Sequence, residues 1–290
     1  MDITLHRVDL MQCQAMSKNT MVVLPVGKKR QQKIAVGDDS GVLTVFYLKK
    51  GEMAVEWKCP ALGREVSAVT LQMGKDKLFL GCGQSIHGFT RKGKEFVKIK
   101  TNLTETINHL FVDENKIWTG GEYIMNIYNE CKDFGFVMVK DRINDLTCAP
   151  IEPGDILSSV VACQDKFLRV YTGEKLVHEF SVEGPGSSLG FFGEPDPEHQ
   201  QKKPGEPITM LYGTEQGMIG IVEVDGKKMR RTVSISDRQQ RPGMSGAASL
   251  TRRSRVSAIR STDVVKSGVL DVVVGRDDGN LEVWSLGDAA

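Results

Sequence analysis

One pattern recurs six times along this chain: three or four apolar residues, a small residue, a polar turn, then alternating apolar residues. It first reads Ile34-Ala35-Val36-Gly37, Asp38-Asp39-Ser40-Gly41, Val42-Leu43-Thr44-Val45-Phe46. It returns as Leu78-Phe79-Leu80-Gly81 with Ile86-His87-Gly88-Phe89, then as Ile117-Trp118-Thr119-Gly120 with Met125-Asn126-Ile127-Tyr128. The fourth and fifth copies are Val160-Val161-Ala162-Cys163 with Leu168-Arg169-Val170-Tyr171, and Met210-Leu211-Tyr212-Gly213 with Gly217-Met218-Ile219-Gly220-Ile221. The sixth is Val272-Val273-Val274-Gly275, Arg276-Asp277-Asp278-Gly279, Leu281-Glu282-Val283-Trp284. The small residues stand at 37, 81, 120, 163, 213 and 275, at intervals of 44, 39, 43, 50 and 62. The two long intervals contain polar insertions, at 193–207 and 236–255. Without them the period is about 40 residues, the length of a four-stranded propeller blade.

Each copy has the chemistry of a β-hairpin. Asp-Ser-Gly and Asp-Asp-Gly supply the positive φ that a tight turn needs, so Gly41 and Gly279 are expected in that conformation. The first arm is continuously apolar, as a strand covered on both faces must be, and the second alternates. Further strands are expected upstream of each hairpin, at 21–26, 66–71, 107–112, 143–148, 187–192 and 256–262. Outer strands follow Lys/Gly turns at 53–57, 96–99 and 175–180. No stretch sustains a 3.6-residue apolar period, so little helix is expected. The fold class is all-β: one propeller domain over 1–290, with six legible blades. Residues 3–12 read as one more strand, and the sixth blade lacks an outer strand after Trp284. The expectation is a ring cut short before a closing seventh blade, or a six-bladed ring closed by 3–12.

Glycine, 30 of 290 residues against a usual share of roughly 7%, fits a fold rich in tight turns. The 38 basic and 37 acidic residues leave a net charge of +1, which argues against nucleic acid as a partner. The first residues lack the charged and apolar regions of a signal peptide, and no apolar run is long enough to span a bilayer as a helix. The six cysteines, at 13, 59, 82, 131, 148 and 163, show no zinc spacing and read as reduced thiols, several buried in strands.

Several segments imitate chemical motifs. Residues 88–95, Gly-Phe-Thr-Arg-Lys-Gly-Lys-Glu, approach a phosphate-binding loop. Yet Glu95 stands where a magnesium-binding hydroxyl belongs, and the loop joins two strands instead of leading into a helix. Asp38-Asp39 and Asp277-Asp278 lack the alternating acidic ligands of a calcium loop and read as turns. Asn102-Leu103-Thr104 is a glycosylation sequon in a chain with no export signal. His87 reads as a polar residue on a strand face. With no nucleophile elbow and no histidine beside a nucleophile, no catalytic residue, metal ligand or cofactor site is expected.

One charge cluster stands out. Residues 227–260 hold ten basic residues and one acidic residue, Asp237. Much of the span is Ser/Gly/Gln-rich and reads as a flexible insertion. Arg230, Arg231, Arg252, Arg253 and Arg255 are its candidate contacts with an anionic membrane surface or an acidic partner, at about 1 kcal/mol per basic residue near a membrane.

Several segments resemble the amino-terminal propeller of the Bardet–Biedl syndrome 7 family of BBSome subunits. These are Lys49-Lys50-Gly51-Glu52, residues 88–94, Thr101-Asn102-Leu103-Thr104-Glu105, Cys131-Lys132-Asp133 and Ile143-Asn144-Asp145. Ala162-Cys163-Gln164-Asp165 with Leu168-Arg169-Val170, and Val274-Gly275-Arg276-Asp277-Asp278-Gly279, complete the set. The resemblance implies a non-enzymatic subunit of a coat-like complex that moves membrane-protein cargo into and out of cilia. The implied partners are other BBSome subunits and, through them, ciliary cargo. The implied location is cytoplasmic, at the cilium, basal body and, peripherally, the ciliary membrane. Two other classes compete. A WD-repeat adaptor would carry Trp-Asp dipeptides, but Trp284 is followed by Ser285. A propeller enzyme or metal-binding propeller would need polar residues converging at the starts of the inner strands, and the strands expected there show no repeated set.

Overall fold

The computed structural model describes residues 9, 11–27, 31–72, 76–151, 157–193, 208–224, 229–234, 254–264 and 266–285. Every element among them is a β-strand. The strands are β1 (Met21–Leu24), β2 (Lys33–Gly37), β3 (Leu43–Lys49), β4 (Glu52–Lys58), β5 (Val66–Leu71), β6 (Lys77–Cys82), β7 (Ser85–Thr90) and β8 (Glu95–Lys100). There follow β9 (His109–Asp113), β10 (Lys116–Gly120), β11 (Ile124–Asn129), β12 (Lys132–Met138), β13 (Ile143–Ala149), β14 (Ser158–Cys163), β15 (Phe167–Thr172) and β16 (Lys175–Ser181). The last are β17 (Gly186–Phe191), β18 (Ile208–Thr214), β19 (Ile219–Val224), β20 (Met229–Ser234), β21 (Val256–Thr262), β22 (Asp271–Arg276) and β23 (Leu281–Ser285). Successive strands pair antiparallel into six meander sheets: β1–β4, β5–β8, β9–β12, β13–β16, β17–β20 and β21–β23. These are the six blades that the repeat predicts.

The six hairpins stand where the repeat puts them. Gly41 and Gly279 have φ of 80° and 83°, as their turns require. Asp38 Oδ1 accepts hydrogen bonds from the Ser40 and Val42 amides, each 3.0 Å, so the first Asp-Asp pair closes a turn. Two outer strands, β12 and β20, lie beyond those expected from the sequence, although Asp225-Gly226 before β20 is a turn signal. β12 follows Glu130 and Cys131, which both hold positive φ (50° and 63°) without being glycine. β20 corrects one boundary. The basic run at 227–260 is not a single insertion, because it contains the fourth strand of the fifth sheet and reaches into β21. Residues 235–253, like 194–207 and most of the strand expected at 3–12, lie outside the described residues.

The chain divides into two compact units, 1–115 and 116–290. In the first, Leu24, Ala35, Leu43, Val45, Val66, Leu78, Leu80 and Phe89 form one buried cluster across the first two sheets. In the second, residues from β14, β15, β18 and β19, including Val160, Leu168, Met210, Tyr212 and Val222, pack together. A further cluster joins Leu211 and Ile219 to Val256, Ile259, Val272 and Val274.

The small residue of the repeat has a steric cause. Within the first unit, a Cβ on Gly37 would overlap Val66, and one on Gly81 would sit 2.8 Å from Ile107. Within the second, a Cβ on Gly213 would overlap Val256. In each case the first apolar residue of one blade's inner segment rests on the bare backbone of the preceding blade. The fourth copy inverts the arrangement. Cys163 holds the repeat position, and Gly186 of the following blade lies so close that a Cβ would meet that of Ala162 at 2.9 Å.

A second device accompanies the first. Inner strands β5, β13 and β17 each carry a bulge at their second residue. The residue freed by the bulge reaches into the next blade. Ser67 Oγ–H is shared between Gly81 O (3.2 Å) and Ile107 O (2.5 Å). Ser187 Oγ–H is shared in the same way between Gly213 O (3.2 Å) and Val256 O (2.7 Å). Asn144 Nδ2 donates to Gly186 O at 2.9 Å and to Gln164 Oε1 at 2.8 Å.

Candidate functional site

The sequence motifs that imitate chemistry become structural parts. The loop at 88–95 joins β7 to β8, with Gly93 at a φ of 83°. The Lys94 amide donates to Thr90 Oγ1 at 3.2 Å. Glu95 lies 2.7 Å from Nδ1 of buried His87. The loop leads into a strand, so no helix N-terminus faces a phosphate there, and the glutamate is committed to the histidine. At the other hairpin, Asp277 Oδ1 accepts from Ser257. The Ser254 hydroxyl and then the Asn280 amide hold Asp278 below the usual carboxylate range. Among the described residues no three His, Cys, Asp or Glu side chains gather as a metal site.

Four of the six cysteines, Cys59, Cys82, Cys148 and Cys163, are buried thiols, Cys131 is exposed, and none of the six forms a disulfide. Burial pushes the thiols of Cys59 and Cys82 up, and that of Cys163 up to about 11. A thiol held protonated is a poor nucleophile.

The arginine contacts expected from the basic run separate. Arg230 and Arg231 belong to β20, where their backbones pair with Glu223 and Val222. Arg252 and Arg253 lie outside the described residues. Arg255 is half-buried just before β21, and its Nε is buried without a hydrogen-bond partner among the described residues. Arg260 is exposed, and its Nη1 donates to Leu189 O at 2.9 Å and Ile259 O at 2.8 Å.

Two buried arginines, Arg169 read from the sequence as a strand residue and Arg276 as part of a turn, are the strongest ionic features among the described residues. Arg169, 2% exposed, donates Nε to Glu179 Oε1 at 2.8 Å and forks onto both oxygens of Asp165. Lys140 sits 3.0 Å from the same glutamate. Burial opposes the charge on Arg169, and Asp165, Cys163 and Glu179 more than restore it. Arg276 forks onto Glu282 (2.6 and 2.9 Å) and donates to the carbonyls of Gly217 and Ser254. Bidentate pairs of this kind fix strands to turns, and neither arginine is free to meet a ligand.

The remaining candidate is apolar. The outer strands of the blades carry aromatic residues, most of which fold back. Trp57 on β4 stacks on Phe89 at 5.9 Å and donates its indole N–H to Arg91 O. Phe96 on β8 meets Phe79 edge-on at 5.5 Å, beneath Lys77 Nζ at 4.8 Å. On β12, Phe134, Phe136 and Met138 are 63%, 59% and 72% exposed, with Tyr123 beside them on the approach to β11. The backbone edge of this strand is engaged: Glu174 accepts the Phe136 amide at 3.0 Å. The side chains above it are open.

A family model for the BBS7 β-propeller matches residues 21–290. The chain is 33% identical over 294 residues to "BBSome complex member BBS7" of Mus musculus, covering 100% of this chain and 38% of the mouse protein. It is 23% identical over 290 residues to "BBSome complex member bbs-7" of Caenorhabditis elegans, covering 97% and 37%. The chain thus spans well under half the length of these relatives. Among solved structures, the crystal structure of BBS1N in complex with ARL6DN superposes with a TM-score of 0.65 at 13% identity, over 94% of this chain and 79% of that one. The computationally designed protein Ika8 superposes with a TM-score of 0.59 at 14% identity, over 95% and 74%. At such identities the structural likeness concerns the fold alone.

Proposed function

Because this chain belongs to the BBS7 β-propeller family, we propose that it works as the propeller of a BBSome subunit. In this reading it is a non-enzymatic interaction module. Its surfaces hold neighbouring subunits of a coat-like complex that carries membrane-protein cargo into and out of cilia. Its place is cytoplasmic, at the basal body, the cilium and the inner face of the ciliary membrane. The observation that carries the reading is the family match over residues 21–290, joined to 33% identity across the whole chain.

The site chemistry is consistent with this role. The ionisable clusters described above are spent on holding strands together, and the apolar side chains left open suit contact with protein. The basic run, with Arg230, Arg231, Arg252, Arg253 and Arg255, would add attraction toward anionic headgroups when the complex lies on a membrane. No cofactor or nucleic acid is required. The test is co-purification: the tagged protein, expressed in ciliated cells, should recover the other BBSome subunits in stoichiometric amounts and concentrate at the ciliary base. Recovery of none of them would refute the assignment.

A further inference from the structure

We propose that the exposed face of β12 is a docking surface for a partner subunit, and that the segment it receives is an apolar ridge flanked by lysine or arginine. The inference rests on the reading of the chain as a subunit of a protein complex. It starts from the contrast among outer strands. Trp57 stacks on Phe89 of the following blade and Phe96, 40% exposed, packs edge-on against Phe79 of its own, whereas Phe134, Phe136 and Met138 are more than half exposed on one strand. Single exposed apolar residues are ordinary, but three large ones along seven residues mark an interaction site. Alternate residues of a strand are about 6.6 Å apart, so the stripe is about 13 Å long and one strand wide. That shape fits one ridge of a helix or one strand laid over the face.

Two observations identify the occupant. First, Glu174 already accepts the Phe136 amide, and a Cβ on Gly135 would meet the same carboxylate at 2.8 Å. An added strand would have to displace this glutamate, so the partner binds through side chains on the face. Second, the rim carries a small surplus of acid. Glu122, Glu130, Asp133 and Glu174 are exposed around the strand, against the exposed bases Lys132, Arg142 and Lys175. The flanking Lys140 is paired with Glu179 at 3.0 Å. This surplus disfavours an anionic bilayer and a second copy of the same rim, and favours a basic-flanked segment.

The experiment is co-expression with the other BBSome subunits and purification through a tag on one of them. The chains compared are wild type, the double variant Phe136→Asp/Met138→Asp, the rim variant Asp133→Lys and the control Val55→Asp on β4. Wild type and Val55→Asp should be recovered equally, the double variant at least tenfold less, and Asp133→Lys several-fold less. Hydrogen exchange across 132–139 of the wild-type protein should slow on assembly, a readout that stands even if the double variant folds poorly. Failure of wild type itself to be recovered sinks the subunit assignment. Full recovery of the double variant, with exchange at 132–139 unchanged by assembly, overturns the docking surface alone. So does either of two other results: dimerisation of the free protein lost in the double variant, or binding to phosphatidylserine vesicles lost in that variant.

Discussion

The seams between successive blades and the outer strands of those blades obey different rules. At the seams, one solution is used repeatedly. Ser67 and Ser187, 120 positions apart, share one hydroxyl proton between carbonyls at nearly the same distances, and Gly37, Gly81 and Gly213 leave the same gap for a following Val or Ile. On the outer strands no solution is common. β8 covers its phenylalanine with a neighbouring ring, and β12 leaves two phenylalanines and a methionine in the open. Packing without voids restricts the seams, because a methylene too many has nowhere to go. The outer strand has one free side, so its residues are open to selection for a partner. Stability is therefore expected to be sensitive at the seams and insensitive on β12.

The largest effect should come from filling a seam. Gly213→Val sets a branched side chain into the space of Val256 and should cost about 3 kcal/mol or more. Gly275 holds the same repeat position in the sixth blade, yet the nearest atom to its Cβ, that of Ala258, is 3.9 Å away. Gly275→Ala should change stability by less than about 0.5 kcal/mol. Denaturant midpoints of the two variants test this; equal midpoints would show that the repeat position is not uniformly a packing constraint in the way argued.

Next comes the buried arginine beside a seam. Arg169→Met leaves Asp165 and Glu179 without their fork. Removing one partner of a buried pair costs about 3–5 kcal/mol. Both carboxylates keep roughly a third of their surface in water and can rehydrate. A loss of about 2 kcal/mol is expected, read as a fall in melting temperature of several degrees. A variant as stable as wild type would mean that the network adds specificity without stability.

Most of the architecture was legible because the seam writes itself into the sequence. A small residue after an apolar arm, repeated every 40 residues or so, is the trace of one blade's side chain resting on another's backbone. What the sequence concealed lies outward. The turn before β12 uses Glu130 and Cys131 at positive φ, where glycine or asparagine would have signalled a hairpin. β20 is hidden inside a basic run that reads as a loop. Arg169 alternates like a solvent-facing residue, and only the register that brings Glu179 opposite it shows that it is covered. The stripe on β12 was visible as alternation, but alternation states which face is apolar and not what lies over it.

A third test uses pH. Burial raises the Cys163 thiol from an ordinary value near 9 to about 11. An unfolded chain loses this proton first, so the thiol contributes stability below pH 9 that falls away as pH rises from 9 through 11. The full change, two pH units at about 1.4 kcal/mol each, is about 3 kcal/mol. Cys163→Ala should flatten that part of the stability profile relative to wild type, whatever it does to stability at pH 7. Melting temperatures at pH 7.5 and 10 for both chains decide it, and parallel falls would show that other groups carry the alkaline loss.

The smallest expected effect bears most directly on the comparison. Phe96→Ala removes an edge-on ring contact with Phe79 and the face over which Lys77 rests, and should cost about 1 kcal/mol. Phe136→Ala, the same change on the outer strand of the next blade, removes a side chain that is 59% exposed, and should cost less than about 0.5 kcal/mol. Loss of the phenyl ring from a strand surface also gives up some β-propensity, a term common to both variants that cancels in the difference. The two unfolding curves, measured on the free protein, therefore isolate what the neighbours of each ring contribute. If Phe136→Ala costs as much as Phe96→Ala, the β12 stripe is held by its own blade, and its exposure reflects packing on that blade instead of readiness for a partner. If the gap is as expected, the energy of Phe136 is unspent in the free protein and should appear only on assembly.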